Sequence, residues 1–261
     1  MPYAHNQGVR IHFRTEGDGP PLVLQHWSLS TLEDWYDHGY VSALKDDYRL
    51  ILLDARGHGA SDKPHNLEAY ELKRRVEDIV AVLDELAIAQ AHYYGYSMGG
   101  WIGFGVARYA PERFQSLIIG GQHPYAQSME GLRQIVRCGI EDGPEAFIAL
   151  WEGNLGTLSL RERMLAYDFE ALLAVAQDRE SLEAVLPTIE MPCLLIVGEE
   201  DGVYPLAKKC VSQIANGSLV ALQGLDHGTA ITQSDRVVPH IKRFLSAVSQ
   251  RAHSAADVGA A

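Results

Sequence analysis

Cysteine is scarce in this chain: Cys138, Cys193 and Cys210 are odd in number and widely spaced along 261 residues. That pattern suits reduced thiols better than a disulfide framework or a C-x-x-C metal site. The opening Met1-Pro2-Tyr3-Ala4-His5-Asn6 lacks the charged and apolar regions of a signal peptide, and no run approaches the ~18 apolar residues of a membrane span. A soluble, cytoplasmic protein is the expectation. Basic residues are also in deficit, 22 Lys and Arg against 34 Asp and Glu for a net charge of −12. Nucleic acid and anionic membrane surfaces are therefore not expected partners. The phosphate loop G-x-x-x-x-G-K-[ST] and the zinc pair H-E-x-x-H are missing. So is G-x-G-x-x-G, because Gly103-x-Gly105 is followed by Arg108 where the third glycine belongs. No nucleotide, metal or organic cofactor is implied, and oligomeric state leaves no trace in the sequence.

What the chain does have is core-forming material: hydrophobic residues make up 47% of it, enough for one large α/β domain. Residues 8–15 alternate like an antiparallel edge strand, while 21–25, 49–54, 91–94, 115–120, 191–198 and 218–222 read as buried strands. Helical spacing marks 70–86 through Val76, Ile79, Val80, Leu83 and Leu86, and 98–110 through Trp101, Ile102, Phe104, Val106 and Ala107. The alternation lapses over 123–189, where apolar residues recur at helical spacing around Leu132, Ile135 and Val136 and again around Phe147, Ile148 and Leu150. From about residue 251 the apolar pattern stops, and a frayed tail is expected there.

Between the fourth of these strands and its helix stands Gly95-Tyr96-Ser97-Met98-Gly99, a G-x-S-x-G turn with one hydroxyl at its apex. Flanking glycines allow a turn so tight that the central serine is forced into a sparsely populated backbone conformation with its hydroxyl clear of the chain. A serine hydroxyl is a weak nucleophile, so a catalytic role demands a histidine base and an acid that fixes the histidine's tautomer. Glu199-Glu200-Asp201 follows the apolar run 191–198, and Gly224-Leu225-Asp226-His227-Gly228 follows the strand 218–222, which gives the chain order serine, acid, histidine.

Through these motifs and through Asp54-Ala55-Arg56-Gly57-His58-Gly59-Ala60-Ser61, the chain to about residue 247 resembles the α/β-hydrolase fold serine hydrolases. The resemblance implies a mostly parallel central sheet flanked by helices, with a core of 1–122 and 190–250, a small helical cap of 123–189 and the tail 251–261. It selects Asp201 through the pattern G-x-x-D and His227 through the histidine loop. Glu199 and Glu200 are left as solvated charges, and Asp226 as a loop or N-cap residue. For the oxyanion hole it implies Met98 N–H, after the nucleophile, and Ser28 N–H in His26-Trp27-Ser28, where Trp27 replaces a glycine common in the family. Arg56 and His58 are assigned to pinning their loop on the sheet. Trp27, Trp151, Leu155, Met164 and Phe169 are candidates for lining the substrate pocket.

The implied activity is hydrolysis of a small-molecule carboxylic ester or lactone through an acyl-enzyme, enol-lactone hydrolysis being one specific form. Relatives with the same triad also include C–C bond hydrolases, thioesterases, amidases, cofactor-free perhydrolases and non-catalytic ligand-binding proteins. Epoxide hydrolases and haloalkane dehalogenases carry aspartate where this chain has Ser97.

Overall fold

The computed structural model describes residues 2–150 and 158–259. In chain order these form β1 (Tyr3–Asn6), β2 (Val9–Glu16), β3 (Pro21–Gln25), α1 (Glu33–Asp37), α2 (Tyr40–Leu44), β4 (Arg49–Leu53), α3 (Leu72–Glu85), β5 (Ala91–Tyr96), α4 (Met98–Tyr109) and β6 (Phe114–Gly120). Then follow α5 (Glu130–Glu141), α6 (Pro144–Ala149), α7 (Leu158–Leu165), α8 (Phe169–Val175), β7 (Cys193–Gly198), α9 (Tyr204–Val211), β8 (Gly217–Leu222), α10 (His227–Thr232) and α11 (Ser234–Gly259). The strands make one sheet in the order β1-β2-β4-β3-β5-β6-β7-β8, antiparallel at β1, β2 and β4 and parallel from β4 onward.

Successive residues of a strand point to opposite faces, and the apolar runs feed both. Val23, Ile51, Tyr93, Ile119 and Leu195 pack with Val76, Ile79, Phe104 and Cys210 of α3, α4 and α9. Leu22, Leu24, Leu52, Tyr94, Ile118 and Ile196 pack with Leu44, Val237, Ile241 and Leu245 of α2 and α11 on the other side. A third cluster, Val136, Phe147, Ile148, Met164, Phe169 and Leu172, lies wholly within the helices between β6 and β7.

Two expectations change. The strand over 8–15 is antiparallel but not an edge, because Tyr3–Asn6 pairs outside it across the two-residue turn Gln7-Gly8. Both turn residues have positive φ, 50° and 84°, the geometry that matches a right-twisted hairpin. The expected tail also differs, since α11 continues to Gly259. The alanines at 252, 255 and 256 are strong helix formers and need no apolar stripe to extend it.

Candidate active site

Ser97 joins β5 to α4 with φ 51° and ψ −106°, a conformation that costs on the order of 1–3 kcal/mol and persists only where packing enforces it. The enforcement is local. A side chain on Gly95 would collide with the Gly99 carbonyl, and one on Gly99 with the Gln25 carbonyl, so both positions require glycine if β5, α4 and β3 are to meet this closely. Ser97 N–H donates to Gly120 O at 2.8 Å and ties the turn to the end of β6.

Asp201 follows β7, and its carboxylate is buried, with 3% of the side chain exposed. Its Oδ1 accepts from the Val203 N–H at 3.0 Å, and its Oδ2 lies 2.7 Å from His227 Nδ1. The other imidazole nitrogen, Nε2, is 3.0 Å from Ser97 Oγ. A hydrogen-bonded chain from carboxylate to imidazole to hydroxyl therefore spans three strand ends. His227 is the first residue of α10 and is held from behind, with the Tyr96 hydroxyl donating to its carbonyl at 2.5 Å and the two rings 5.3 Å apart. Asp226 caps that helix, accepting from Thr229 N–H at 2.8 Å in a reciprocal capping box. Its carboxylate is spent there, while Glu199 and Glu200 are exposed.

Met98 N–H opens α4, where the first turn of a helix leaves its donors without intrahelical partners. Among the described residues neither it nor the Ser28 N–H has an acceptor. The loop carrying Ser28 is fixed by His26, which is fully buried: Nδ1 is 2.7 Å from Trp27 O, and Nε2 accepts from Ala55 N–H at 3.0 Å. Burial lowers the His26 pKa, keeping the ring neutral, with one nitrogen to donate and one to accept. Trp27, in the glycine's place, leaves the backbone path open by turning its indole onto Trp35 and Tyr96, at 5.5 and 6.2 Å between centroids.

Arg56 and His58 face inward. Arg56 grips Asp78 through Nε and Nη2 at 2.6 and 2.5 Å and also donates to Ala69 O, with all three groups buried. His58 is held neutral, its pKa lowered to about 3 mainly by burial.

Above Ser97 and His227 opens a cavity of about 930 Å³, within the range that small-molecule sites occupy. Trp27, Ser28 and Leu29 line one side; Met129, Leu132, Leu160 and Met164 from the intervening helices line another. Phe169 instead sits in the interior of the helical cluster, 5.0 Å from the Phe147 ring. Trp151 and Leu155 lie outside the described residues.

The family model described as alpha/beta hydrolase fold matches residues 20–137. Among characterised relatives, the 3-oxoadipate enol-lactonase 2 of Acinetobacter baylyi is 34% identical over 216 residues, which is 77% of this chain and 79% of that protein. The chain belongs to the α/β-hydrolase family. A bifunctional esterase/perhydrolase of Acinetobacter calcoaceticus is 25% identical over 91% of this chain and 96% of its own length. The crystal structure of the enol-lactonase from Burkholderia xenovorans LB400 superposes with a TM-score of 0.81 at 25% identity, covering 94% of this chain and all of that one (100%). No helix among the described residues is long and apolar enough to cross a membrane.

Sequence reasoning missed several residues that this α/β-hydrolase brings to the cavity. Gln122 is buried just past β6, with its Oε1 accepting from His123 N–H at 2.8 Å. Gln127 and Arg179 bracket the helical segment and pair as an isolated antiparallel bridge, N–H to O at 3.0 and 2.9 Å. Arg179 is 93% removed from solvent (7% exposed), and burial lowers its pKa to about 9, which leaves it cationic at neutral pH. Nothing in the sequence around it, Asp178-Arg179-Glu180, separates it from a solvated charge cluster.

Proposed function

We propose that this protein is a serine hydrolase that cleaves small-molecule carboxylic esters or lactones through an acyl-enzyme. The observation that carries the reading is the continuous chain Asp201 Oδ2 to His227 Nδ1, 2.7 Å, and His227 Nε2 to Ser97 Oγ, 3.0 Å, at the floor of a cavity. Relatives named as an enol-lactonase and an esterase/perhydrolase support the same class.

In this reading Ser97 Oγ bonds to the substrate carbonyl carbon as its proton passes to His227 Nε2, and the carbonyl electron pair moves onto oxygen. The N–H groups of Met98 and Ser28 hold that oxyanion. Asp201 keeps the His227 proton on Nδ1, so that Nε2 is free to accept, and stabilises the imidazolium that forms. Collapse of the tetrahedral intermediate breaks the bond to the alcohol oxygen, which takes the proton from His227. In a lactone that oxygen stays tethered to the acyl group. A water molecule then attacks the acyl carbon, passes one proton to His227 and releases the acid, and the proton returns to Ser97.

Fluorophosphonate labelling with peptide mapping tests the nucleophile, and hydrolysis of 4-nitrophenyl acetate by wild type and Ser97→Ala tests turnover. The expected adduct is on Ser97, with hydrolysis lost in the variant. An adduct on a peptide without Ser97, or correctly folded protein that takes no label, overturns the assignment.

A further inference from the structure

Two arginines flank the Trp101 ring, and their partners differ. The Arg75 guanidinium lies 5.8 Å from the ring and is satisfied by backbone, donating to Tyr70 O at 2.8 Å and Val175 O at 2.9 Å. Arg179 lies over the same ring at 5.2 Å, yet its side chain makes one hydrogen bond among the described residues, to Gln127 Oε1 at 3.1 Å. A guanidinium carries five N–H donors, so most of this buried group has no protein acceptor. The adjacent carboxylate does not supply one: Asp178 turns away to Met129 N–H and Arg133, at 2.7 and 2.8 Å. No carboxylate among the described residues pairs with Arg179, although an uncompensated buried cation is costly.

Arg179 is also the only lysine or arginine among the described residues lining the cavity above Ser97 and His227. Its backbone is tied to Gln127 in both directions, and its guanidinium carbon sits 5.2 Å over the Trp101 ring, so the head group is held in place before anything binds.

We infer that Arg179 seats a free carboxylate of the substrate, so that the esters or lactones cleaved here are acidic ones, carrying a carboxylate apart from the scissile carbonyl. The inference rests on the hydrolase reading above and narrows its substrate class. A planar fork matches a carboxylate through two parallel hydrogen bonds. One cation balances one negative charge, whereas a phosphate dianion would leave excess charge in a cavity already lined by Asp34, Asp201 and Asp226.

The test compares 4-nitrophenyl hemiesters of succinate, glutarate and adipate with the same esters methylated at the distal carboxyl, in wild type, Arg179→Gln and Arg179→Lys. The best hemiester is expected to exceed its methylated counterpart about 10- to 100-fold in kcat/KM for wild type, mostly through KM, as a charged hydrogen-bonded pair supplies. Arg179→Gln should bring the ratio to about one, and Arg179→Lys should restore part of it. A wild-type ratio near one for all three lengths, or a ratio that survives Arg179→Gln, overturns the inference. A binding arm uses Ser97→Ala, with and without Arg179→Gln, and reads thermal protection by glutarate, adipate and inorganic phosphate. Protection by dicarboxylates that disappears with Arg179 supports the seat even if no ester is turned over, in which case the hydrolase reading alone has failed. Turnover of neutral and acidic esters alike, with protection by phosphate but not by dicarboxylates, leaves that reading standing and removes this one. Should Arg179→Gln not fold, the wild-type ratio and wild-type protection decide by themselves.

Discussion

The carboxyl ends of β5 and β7 and the helices between β6 and β7 face one cavity, but different forces hold them. At the strand ends, backbone fixes the geometry: the parallel ladders, the Ser97 N–H on Gly120 O, and glycines packed against carbonyls. The helices carry a small apolar cluster of their own, Ala174 and Val175 of α8 join the main core, and polar side chains add further ties. Arg163 reaches Asp34 and Asp37 at 2.8 and 2.6 Å, and the Tyr167 hydroxyl reaches Leu29 O at 2.7 Å. Groups proposed to react sit where displacement is costly. Groups proposed to recognise substrate sit on a region tied to the core by a short backbone bridge, by two residues of α8 and by a few side-chain bonds, the last of which can be altered one at a time.

Substitutions at the strand ends should have the largest effects. Loss of a triad nucleophile in a comparable enzyme costs roughly 10⁶-fold in kcat, and Ser97→Ala is expected to approach that scale in single-turnover and steady-state assays alike. Next comes Asp201→Asn, with an expected loss of about 10⁴-fold because the amide no longer enforces the reactive tautomer of His227. Glu199→Gln and Glu200→Gln change neighbouring charge without touching His227 and should stay within about twofold of wild type. If Glu200→Gln matches Asp201→Asn, the buried 2.7 Å contact is not the one that matters.

How far this comparison can be read from the sequence depends on what kind of signal each region leaves. Strand ends leave a double one, a continuous apolar run and then a small cluster of glycines and polar residues, which is why Ser97, the acids 199–201 and the loop of His227 stand out in the sequence, with Asp201 and His227 then selected by the family resemblance. Four-residue β1 leaves almost none, and its turn, Gln7-Gly8, lacks the asparagine or aspartate that usually advertises such a hairpin. In the helical region periodicity reveals helices but not which polar residues turn inward. Arg179 sits between two acids in sequence and looks solvated; only the fold sends Asp178 to Arg133 and leaves Arg179 at the cavity.

Beneath the strand ends, the buried charges of the Arg56 loop should matter for stability. Asp78→Ala removes the carboxylate from a guanidinium that is 2% exposed, and a loss of about 3–5 kcal/mol is expected in urea unfolding. Acid should weaken the same region through His26 and His58. Burial depresses both folded-state pKa values, so their contribution is complete above the unfolded value of about 6.5 and is lost as pH falls from there, for His58 toward about 3. Well between its two values His58 contributes a slope of about 1.4 kcal/mol per pH unit, and His26 a slope of the same sign. Unfolding midpoints between pH 7 and 5 should therefore fall less steeply in His58→Gln than in wild type; identical slopes would show that His58 is not held neutral.

The smallest effect is expected where a single side chain fastens the helices to the core. Arg163 of α7 bridges Asp34 and Asp37 of α1, and the Asp34 Oδ2 also accepts from Ser30 Oγ and Thr31 N–H at 2.7 and 2.8 Å. Arg163→Met keeps most of the side-chain bulk and removes only the charged bonds, while Asp34 retains its two local donors. A destabilisation of about 1.5–3 kcal/mol is the upper range for such bonds, and the loss should be smaller at high salt. Because α7 and the Tyr167 contact sit over the loop that carries Ser28, the kinetic change should fall on KM by a few-fold, with kcat nearly unchanged, for a substrate large enough to touch Leu160 and Met164. Acetyl esters, too small to reach those residues, should show no change in either constant. A drop in kcat for both substrates would mean that the ion pair holds the oxyanion loop itself, and that the two regions are mechanically one.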